Sequence, residues 1–343
     1  DQRLSRGLGD VYKRQTNIKS HFQNDVNINL SPALNYRNRC EFSFSKGSYV
    51  MYENNKKIYL KSFKVASVEI QKTMTLLLDK INNSEKLKNK LFQINFRSNS
   101  SNLVTTSLIY HKKITDNHIK LIDKLSNELK INIIIRSKNF CYSSQNYFFE
   151  YHLKLNNLVL YQTDNCFFQP NKFLLEKMIT KVQDFINNPK DLLELYCGVG
   201  TFSLPLSSLF SKVLATENNR NAIQCLNKAI IKNSISNISS ARLSSNEVYE
   251  LINGKKFNRM KQNEITDFDF SHVLVDPPRS GLDLNTVNIL NNFENVIYIS
   301  CNQNTYIRDM NLLKCHNIKK IELFDQFPNT KHLEIVSILH KKN

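Results

Sequence analysis

The sequence predicts an α/β chain: an α+β module in the first half and an open, doubly wound parallel sheet in the second. Three observations carry that expectation. From residue 173 onward, short apolar runs alternate with amphipathic stretches at strand–helix spacing. Before it, apolar and polar residues alternate with period two between turn residues. A glycine turn, "YCGVGTF" (196–202), joins the first strand of the second half to the next helix.

Taken in order, residues 36–65, "YRNRCEFSFSKGSYVMYENNKKIYLKSFKV", read as strands and a hairpin with Gly47 at a turn. "SVEIQKTMTLLLDKI" then switches to helical period. "KLFQINFRS", "NLVTTSLIYHKK" and "INIIIRSK" are further strands, with the helix "DNHIKLIDKLSNELK" between the last two. In the second half the helix "KFLLEKMITKVQDFI" precedes the strand "DLLELYC" and the glycine turn. "TFSLPLSSLF", "NAIQCLNKAIIKN", "LNTVNILNNF" and "NTYIRDMNLLKC" come next as helices, interleaved with the strands "KVLATE", "HVLVD" and "NVIYIS". The strands "IKKIELFDQF" and "HLEIVSILH" close the chain. The module is therefore assigned residues 16–160 and the doubly wound domain residues 161–343. Residues 1–15, "DQRLSRGLGDVYKRQ", begin without Met and match neither pattern; they read as a non-native remnant.

A hydrophobic content of 41% excludes a disordered tail or a fibre. No apolar run approaches the roughly 18–20 residues that span a bilayer, and no basic-then-apolar leader is expected. Seven cysteines without a CxxC pair argue against a metal site, an iron–sulfur cluster or a disulfide scaffold, and for a reducing, cytoplasmic compartment. The net charge of +17 is uneven: residues 1–164 hold 26 Lys and Arg against 13 Asp and Glu, residues 165–343 hold 21 against 17. Three readings fit that excess: a nucleic-acid footprint on the first half, a soluble basic surface, and the Lys enrichment of an AT-rich genome.

Three stretches could carry chemistry. In "LLELYCGVGTFSL" (192–204), Gly198 and Gly200 permit a tight turn and close approach of a ligand. Glu217, 19 residues after Gly198 at the end of the next strand, could accept hydrogen bonds from ribose hydroxyls. Ser203 stands where a pyrophosphate fingerprint wants a third glycine, which favours a nucleoside ligand such as S-adenosylmethionine; a structural turn with a solvated Glu is the alternative. "VLVDPPRSGLD" (273–283) puts Asp276 and two prolines at another strand end. Amino-methyltransferases of nucleic acids use a similar Asp-Pro-Pro followed by a stacking aromatic; Arg279 here removes that platform and leaves a plain strand-ending turn as the other reading.

The third stretch is "YISCNQNTYIRDM" (298–310). Most intracellular cysteines are inert core residues, as Cys225 on an apolar helix face is expected to be. Cys301 instead follows a strand at the carboxyl edge, beside the other two loops, and Glu334 opens a late strand. Uracil C5 is a poor nucleophile, and a thiolate added at C6 makes C5 an enolate carbon able to take a methyl group. The C5 proton must then leave before the thiol can. One Cys and one general base are the minimum set.

Residues 192–204, 273–283, 298–305 and 322–334 together resemble the RNA uracil-5-methyltransferase family, and "LFDQFPNTKHLE" is especially similar to its tRNA branch. "SPALNYRNRCEF", "KLFQINFR", "LIYHKK" and "NCFFQPN" extend the resemblance from about residue 28 to the end. It implies a Rossmann-like S-adenosylmethionine-dependent methyltransferase domain with an N-terminal α+β RNA-binding module. By match, Cys301 is the nucleophile and Glu334 the proton acceptor; Gln169, Tyr196, Glu217 and Asp276 line the cofactor and base pocket; Phe92 and His111 touch RNA. Thr201 departs from the Asn common among relatives at a cofactor-contacting place. One ribosomal-RNA branch carries four clustered cysteines and often an extra β-barrel, whereas Cys40, Cys141 and Cys166 are widely spread here. The resemblance thus implies a cytoplasmic, monomeric enzyme methylating uridine 54 in the T-arm of tRNA, with no metal and no iron–sulfur cluster. A ribosomal-RNA uracil methyltransferase and a non-catalytic RNA chaperone are the rival readings.

Overall fold

A computed structural model describes residues 26–260, 264–330 and 332–342; residues 1–15 lie outside them. Leu34–His152 with Gln162–Asn165 form one compact unit, and Leu153–Tyr161, Cys166 onward and the described residues up to Ala33 form the other. Between residues 152 and 166 the chain crosses from one unit to the other more than once. Residues 26–33 join the second unit because β1 (Asn27–Asn29) pairs in its sheet.

In the first unit, β2 (Arg39–Ser45), β3 (Ser48–Glu53), β4 (Lys56–Tyr59), β5 (Leu91–Ser98), β6 (Val104–Tyr110), β7 (Asn132–Ser137) and β8 (Phe140–Ser143) form a seven-stranded sheet in the order β4-β3-β2-β5-β6-β7-β8. Gly47, at φ +71°, makes the β2–β3 turn that a side chain would strain. Helix α1 (Val68–Asn82) starts at Ser67, whose Oγ accepts from the Ile70 N–H, and buries Ile70, Met74, Leu77 and Ile81 at i, i+4, i+7 and i+11. The short α2 (Glu85–Lys88) comes next, and α3 (Asp116–Leu129) is the crossover that lets β6 and β7 run parallel. Phe42, Tyr49 and Phe96 meet in the core at centroid separations of 5.5–6.2 Å.

The chain passes between the units through β9 (Phe149–Leu153) and β10 (Leu158–Gln162) and enters α4 (Leu175–Phe185). The second unit then alternates β11 (Asp191–Leu195), α5 (Ser203–Leu206), β12 (Lys212–Thr216), α6 (Arg220–Lys232), β13 (Ile238–Ala241), α7 (Ser245–Ile252), β14 (Phe270–Val275), α8 (Leu284–Leu290), β15 (Asn295–Ser300), α9 (Gln303–Leu312), β16 (His316–Phe324) and β17 (Glu334–Lys341). Its eight-stranded sheet has the order β1-β16-β17-β15-β14-β11-β12-β13. The central strands β11, β14 and β15 carry Val, Leu and Ile that are almost wholly buried, as a sheet covered on both faces requires.

Three expectations change. The sheet is mixed rather than parallel, because β17 runs antiparallel to both β15 and β16. The helix expected over "TFSLPLSSLF" is a four-residue turn, Ser203–Leu206, with Pro205 and three serines limiting it. β13 and α7, unforeseen, form from "ISSA" and a capping box in which Ser244 and Glu247 satisfy each other's backbone N–H.

Candidate active site

The chain leaves β11 to build β12 and β13 on one side, then returns to place β14 on the other. That reversal opens a crevice at the carboxyl ends of the strands. Tyr196 follows β11, Glu217 follows β12, Asp276 follows β14 and Cys301 follows β15, each by one residue. Because β17 runs the opposite way, its first residue lies on that same edge. Ser300 pairs with Ile335, so the register continued by one step sets Cys301 against Glu334. The antiparallel strand is what brings the Glu334 carboxyl to the edge that bears the Cys301 thiol.

Around the glycine turn the backbone is held in left-handed conformations, at φ +59° for Tyr196, +56° for Gly198 and +87° for Gly200. An aromatic residue there is uncommon and costs of order 1 kcal/mol or more. The two glycines differ. A Cβ on Gly200 would come within 2.5 Å of Leu226, whereas one on Gly198 would meet nothing within 4 Å, so Gly198 faces open space. Glu217 closes that space: its carboxylate accepts from the Gly198 N–H at 3.1 Å and from the Asn219 N–H at 2.7 Å. Both oxygens are fixed, with lone pairs left for a ligand. A cavity of about 410 Å³ extends from Tyr196 and Glu217 past Leu243, Ser245, Pro278 and Asp283, a size ordinary for a small-molecule site. Ser245 Oγ donates to Asp283 at 3.0 Å and Tyr196 Oη lies 3.1 Å from Thr286 Oγ1, fixing the wall.

The reacting end is a cluster of acids with one nearby cation. Burial pushes Asp276 up to about 7. Burial, then the charge of Asp276, hold Glu334 (4% exposed) well above the usual carboxylate range, with Arg279 opposing. The half-buried Cys301 thiol is pushed up to about 11 by burial first, then by Glu334 and Asp276, again opposed by Arg279. Burial of both carboxyls, and the charge of Asp276 acting on Glu334, disfavour their being ionised together. The loop bearing Arg279 is anchored from below: buried Asp309 accepts from Tyr298 Oη at 2.6 Å and the Leu282 N–H at 2.9 Å, while Arg308 donates to the Ser280 carbonyl at 2.9 Å.

Gln169, buried, donates from Nε2 to Asp276 at 3.3 Å, so four expected pocket residues, Gln169, Tyr196, Glu217 and Asp276, lie in this unit with Cys301 and Glu334. Thr201 is buried just beyond the turn. Sequence reasoning gave no role to Arg279, whose charge acts on both Cys301 and Glu334, nor to Ser245, which belongs to no recognisable motif. A charged residue directly after Asp-Pro-Pro was the available signal for the first.

Phe92 and His111 belong to the other unit. Phe92 is 45% exposed, which removes it from the core, and its ring stacks on His111 at 4.2 Å and 17°. Beside them a cavity of about 600 Å³ is lined by His111, Lys112, Lys113, Ser137, Lys138 and Phe140. Lys112 is already engaged, donating to the Lys86 carbonyl at 2.7 Å and lying over the Tyr110 ring. Among the described residues, no group of three or more His, Cys, Asp or Glu could hold a metal ion, and no helix is long and apolar enough to cross a membrane. None of the seven cysteines is joined in a disulfide.

An open α/β domain with a small-molecule pocket, and a thiol and carboxyls at the same strand edge, defines a class of group-transfer site. A family model for tRNA (Uracil-5-)-methyltransferase matches residues 9–342, so the chain belongs to that enzyme family. A tRNA/tmRNA (uracil-C(5))-methyltransferase of Campylobacter lari is 41% identical over 329 residues, covering 92% of this chain and 94% of the relative. One from Saccharophagus degradans is 39% identical, covering 94% and 92%. The crystal structure of a Pyrococcus abyssi tRNA (uracil-54, C5)-methyltransferase in complex with S-adenosyl-L-homocysteine matches with TM-score 0.76 at 22% identity, covering 96% of this chain and 82% of that one. The α/β architecture is therefore shared along nearly the whole chain.

Proposed function

We propose that this enzyme methylates C5 of uridine 54 in the T-arm of tRNA, using S-adenosylmethionine, through a covalent Cys301 adduct. The observation that carries the reading is the placement of Cys301 against Glu334 on the strand edge that also bears the glycine turn and Glu217. The pocket suits the cofactor: Glu217 is preset for two ribose hydroxyls, Gly198 leaves room, and the wall at Leu243 and Pro278 is apolar enough for an adenine ring. When bound, the cofactor supplies an electrophilic methyl group.

The chain's own residues do the rest. The target base leaves its stack, at a cost of a few kcal/mol, and Cys301, its thiol proton released to solvent, bonds through Sγ to C6. The C5–C6 electron pair moves toward C5 and O4, making C5 the nucleophile. With the methyl group in place, ionised Glu334 takes the C5 proton, the double bond re-forms and the C6–S bond breaks. Arg279 stabilises the anionic forms of both groups, since its charge lowers the proton affinity of each. Phe92, His111 and the lysines around them bind the RNA, and the enzyme works as a cytoplasmic monomer.

Transfer of a labelled methyl group to purified tRNA and ribosomal RNA, with mapping of the modified base, tests the reading. Label at uridine 54 of tRNA is the expected result. Label confined to ribosomal RNA would replace the substrate, and no label on either would favour the chaperone.

A further inference from the structure

Two glutamines stand in series behind Asp276. Gln169 Nε2 donates to Asp276 Oδ2 at 3.3 Å, and Gln326 Nε2 donates to Gln169 Oε1 at 3.2 Å while lying 3.1 Å from Met178 Sδ. Gln326 has zero exposure and Gln169 only 3%. A carboxamide has two nearly isosteric ends of opposite polarity, and only its neighbours decide which faces outward. Gln169 turned over would aim its carbonyl at the Asp276 carboxylate and its N–H₂ at another N–H₂. Gln326 forbids that, because both neighbours of its N–H₂ are acceptors.

Gln326 is itself fixed. Its backbone carbonyl accepts from Asn171 Nδ2 at 3.1 Å, and Asn171 Nδ2 also reaches Ser31 Oγ at 2.8 Å, tying the Gln169–Asn171 turn to the Asp325–Phe327 turn. Its side-chain Oε1 is buried without a hydrogen-bond partner. An orphaned buried acceptor is unfavourable, and Leu or Met would fill the place without one. A glutamine here is therefore retained for its donor end.

We infer that Gln326 is a positioning residue that holds the Gln169 carboxamide with its N–H₂ toward Asp276. The inference rests on the reading that Gln169 and Asp276 line the cofactor and base pocket. Gln326→Met, close in length and shape, removes the donor; Gln326→Asn keeps an amide but withdraws it from Gln169.

The test compares Gln169→Ala, Gln326→Met and the double variant by calorimetric affinity for S-adenosylmethionine, by KM and kcat with tRNA, and by thermal melting. Gln169→Ala should weaken cofactor affinity roughly tenfold, the scale of one charge-assisted hydrogen bond. Gln326→Met should raise the cofactor KM by about three- to tenfold with kcat changed less than about twofold, and the double variant should be no worse than Gln169→Ala. Normal affinity in Gln169→Ala overturns the underlying reading. Weak Gln169→Ala with an unchanged KM in Gln326→Met, a lower Tm alone, or losses that multiply in the double variant overturns the inference. Should Gln326→Met not fold, Gln326→Asn is read by the same outcomes.

Discussion

Cys301 and Glu334 stand across from one another where the antiparallel ladder of β15 and β17 ends, although 33 residues separate them in sequence. The two variants should fail differently. Cys301→Ala cannot form the adduct and should lose methyl transfer entirely. Glu334→Gln can attack and methylate but leaves the C5 proton without an acceptor, so it should accumulate a covalent enzyme–RNA species on denaturing gels when cofactor is present. Turnover by Cys301→Ala overturns the mechanism.

The proton inventory sets a pH dependence. On the proposed mechanism Glu334 must be ionised to act as the base, and its carboxyl is held high by burial and then by Asp276, itself pushed up to about 7. Activity should therefore fall as pH drops through the raised range of Glu334. Deprotonation of Cys301, pushed up to about 11, drives the rate the same way. Removing the charge of Asp276 lowers the proton affinity of Glu334, so whatever activity Asp276→Asn retains should show its acid limb at lower pH. Single-turnover rates over a pH series measure both limbs.

Glu217→Ala should weaken S-adenosylmethionine binding on the order of tenfold to a hundredfold, since each charge-assisted hydrogen bond contributes about 1.5–3 kcal/mol. The variant also frees the Gly198 and Asn219 N–H groups, so a melting curve should accompany calorimetry. An unchanged affinity would make Glu217 a brace for the turn and nothing more.

The basic unit offers a separation by salt. Lys113→Ala with Lys138→Ala should make the log affinity for tRNA less steep in log salt, by about 0.7–0.9 for each phosphate no longer bound. Phe92→Ala should weaken binding by roughly 1–3 kcal/mol at every salt concentration, as removal of a stacking platform does. Lys112 is a poorer probe because it also holds the Lys86 carbonyl. A parental slope in the double lysine variant would remove this corner from the RNA-binding face.

Glu194 supplies a stability test apart from activity. It is 1% exposed, accepts a hydrogen bond from Ser203, and burial pushes its carboxyl up to about 8. As pH rises from the unfolded value near 4.5 toward 8, the unfolded chain releases this proton and the folded one keeps it, so the contribution to stability falls. Glu194→Gln removes that slope. The variant should gain on the parent by a few kcal/mol across this window, read as the difference between melting curves.

The strand-end positions of Asp276, Cys301 and Glu217 were legible because strand ends announce themselves: Asp276 and Cys301 each follow an apolar run, and Glu217 follows "KVLAT". The features that stayed hidden depend on partners distant in sequence. β13 is a four-residue edge strand, "ISSA", whose two serines carry no strand signal and which forms by pairing with β12. The reversal of β17 is decided by its fit between β15 and β16, and an apolar run reads identically in either direction. Gln326 sat inside a recognisable motif, yet only coordinates reveal which atom of its amide touches Gln169.

β1 has one further implication, for synthesis. Asn27–Asn29 align with Glu322–Phe324, and the Asn29 carboxamide donates to Glu322 at 2.8 Å. A ribosome makes this edge strand before residues 34–315 and its neighbour after them, so the segment waits while all the intervening residues are made. Residues 34–152 can meanwhile assemble among themselves and with four later residues. The slow event in maturation should then be closure of the larger sheet, when Asn27–Asn29 first meet Glu322–Phe324. A chain halted before residue 316 would carry a finished small unit and a bare strand edge.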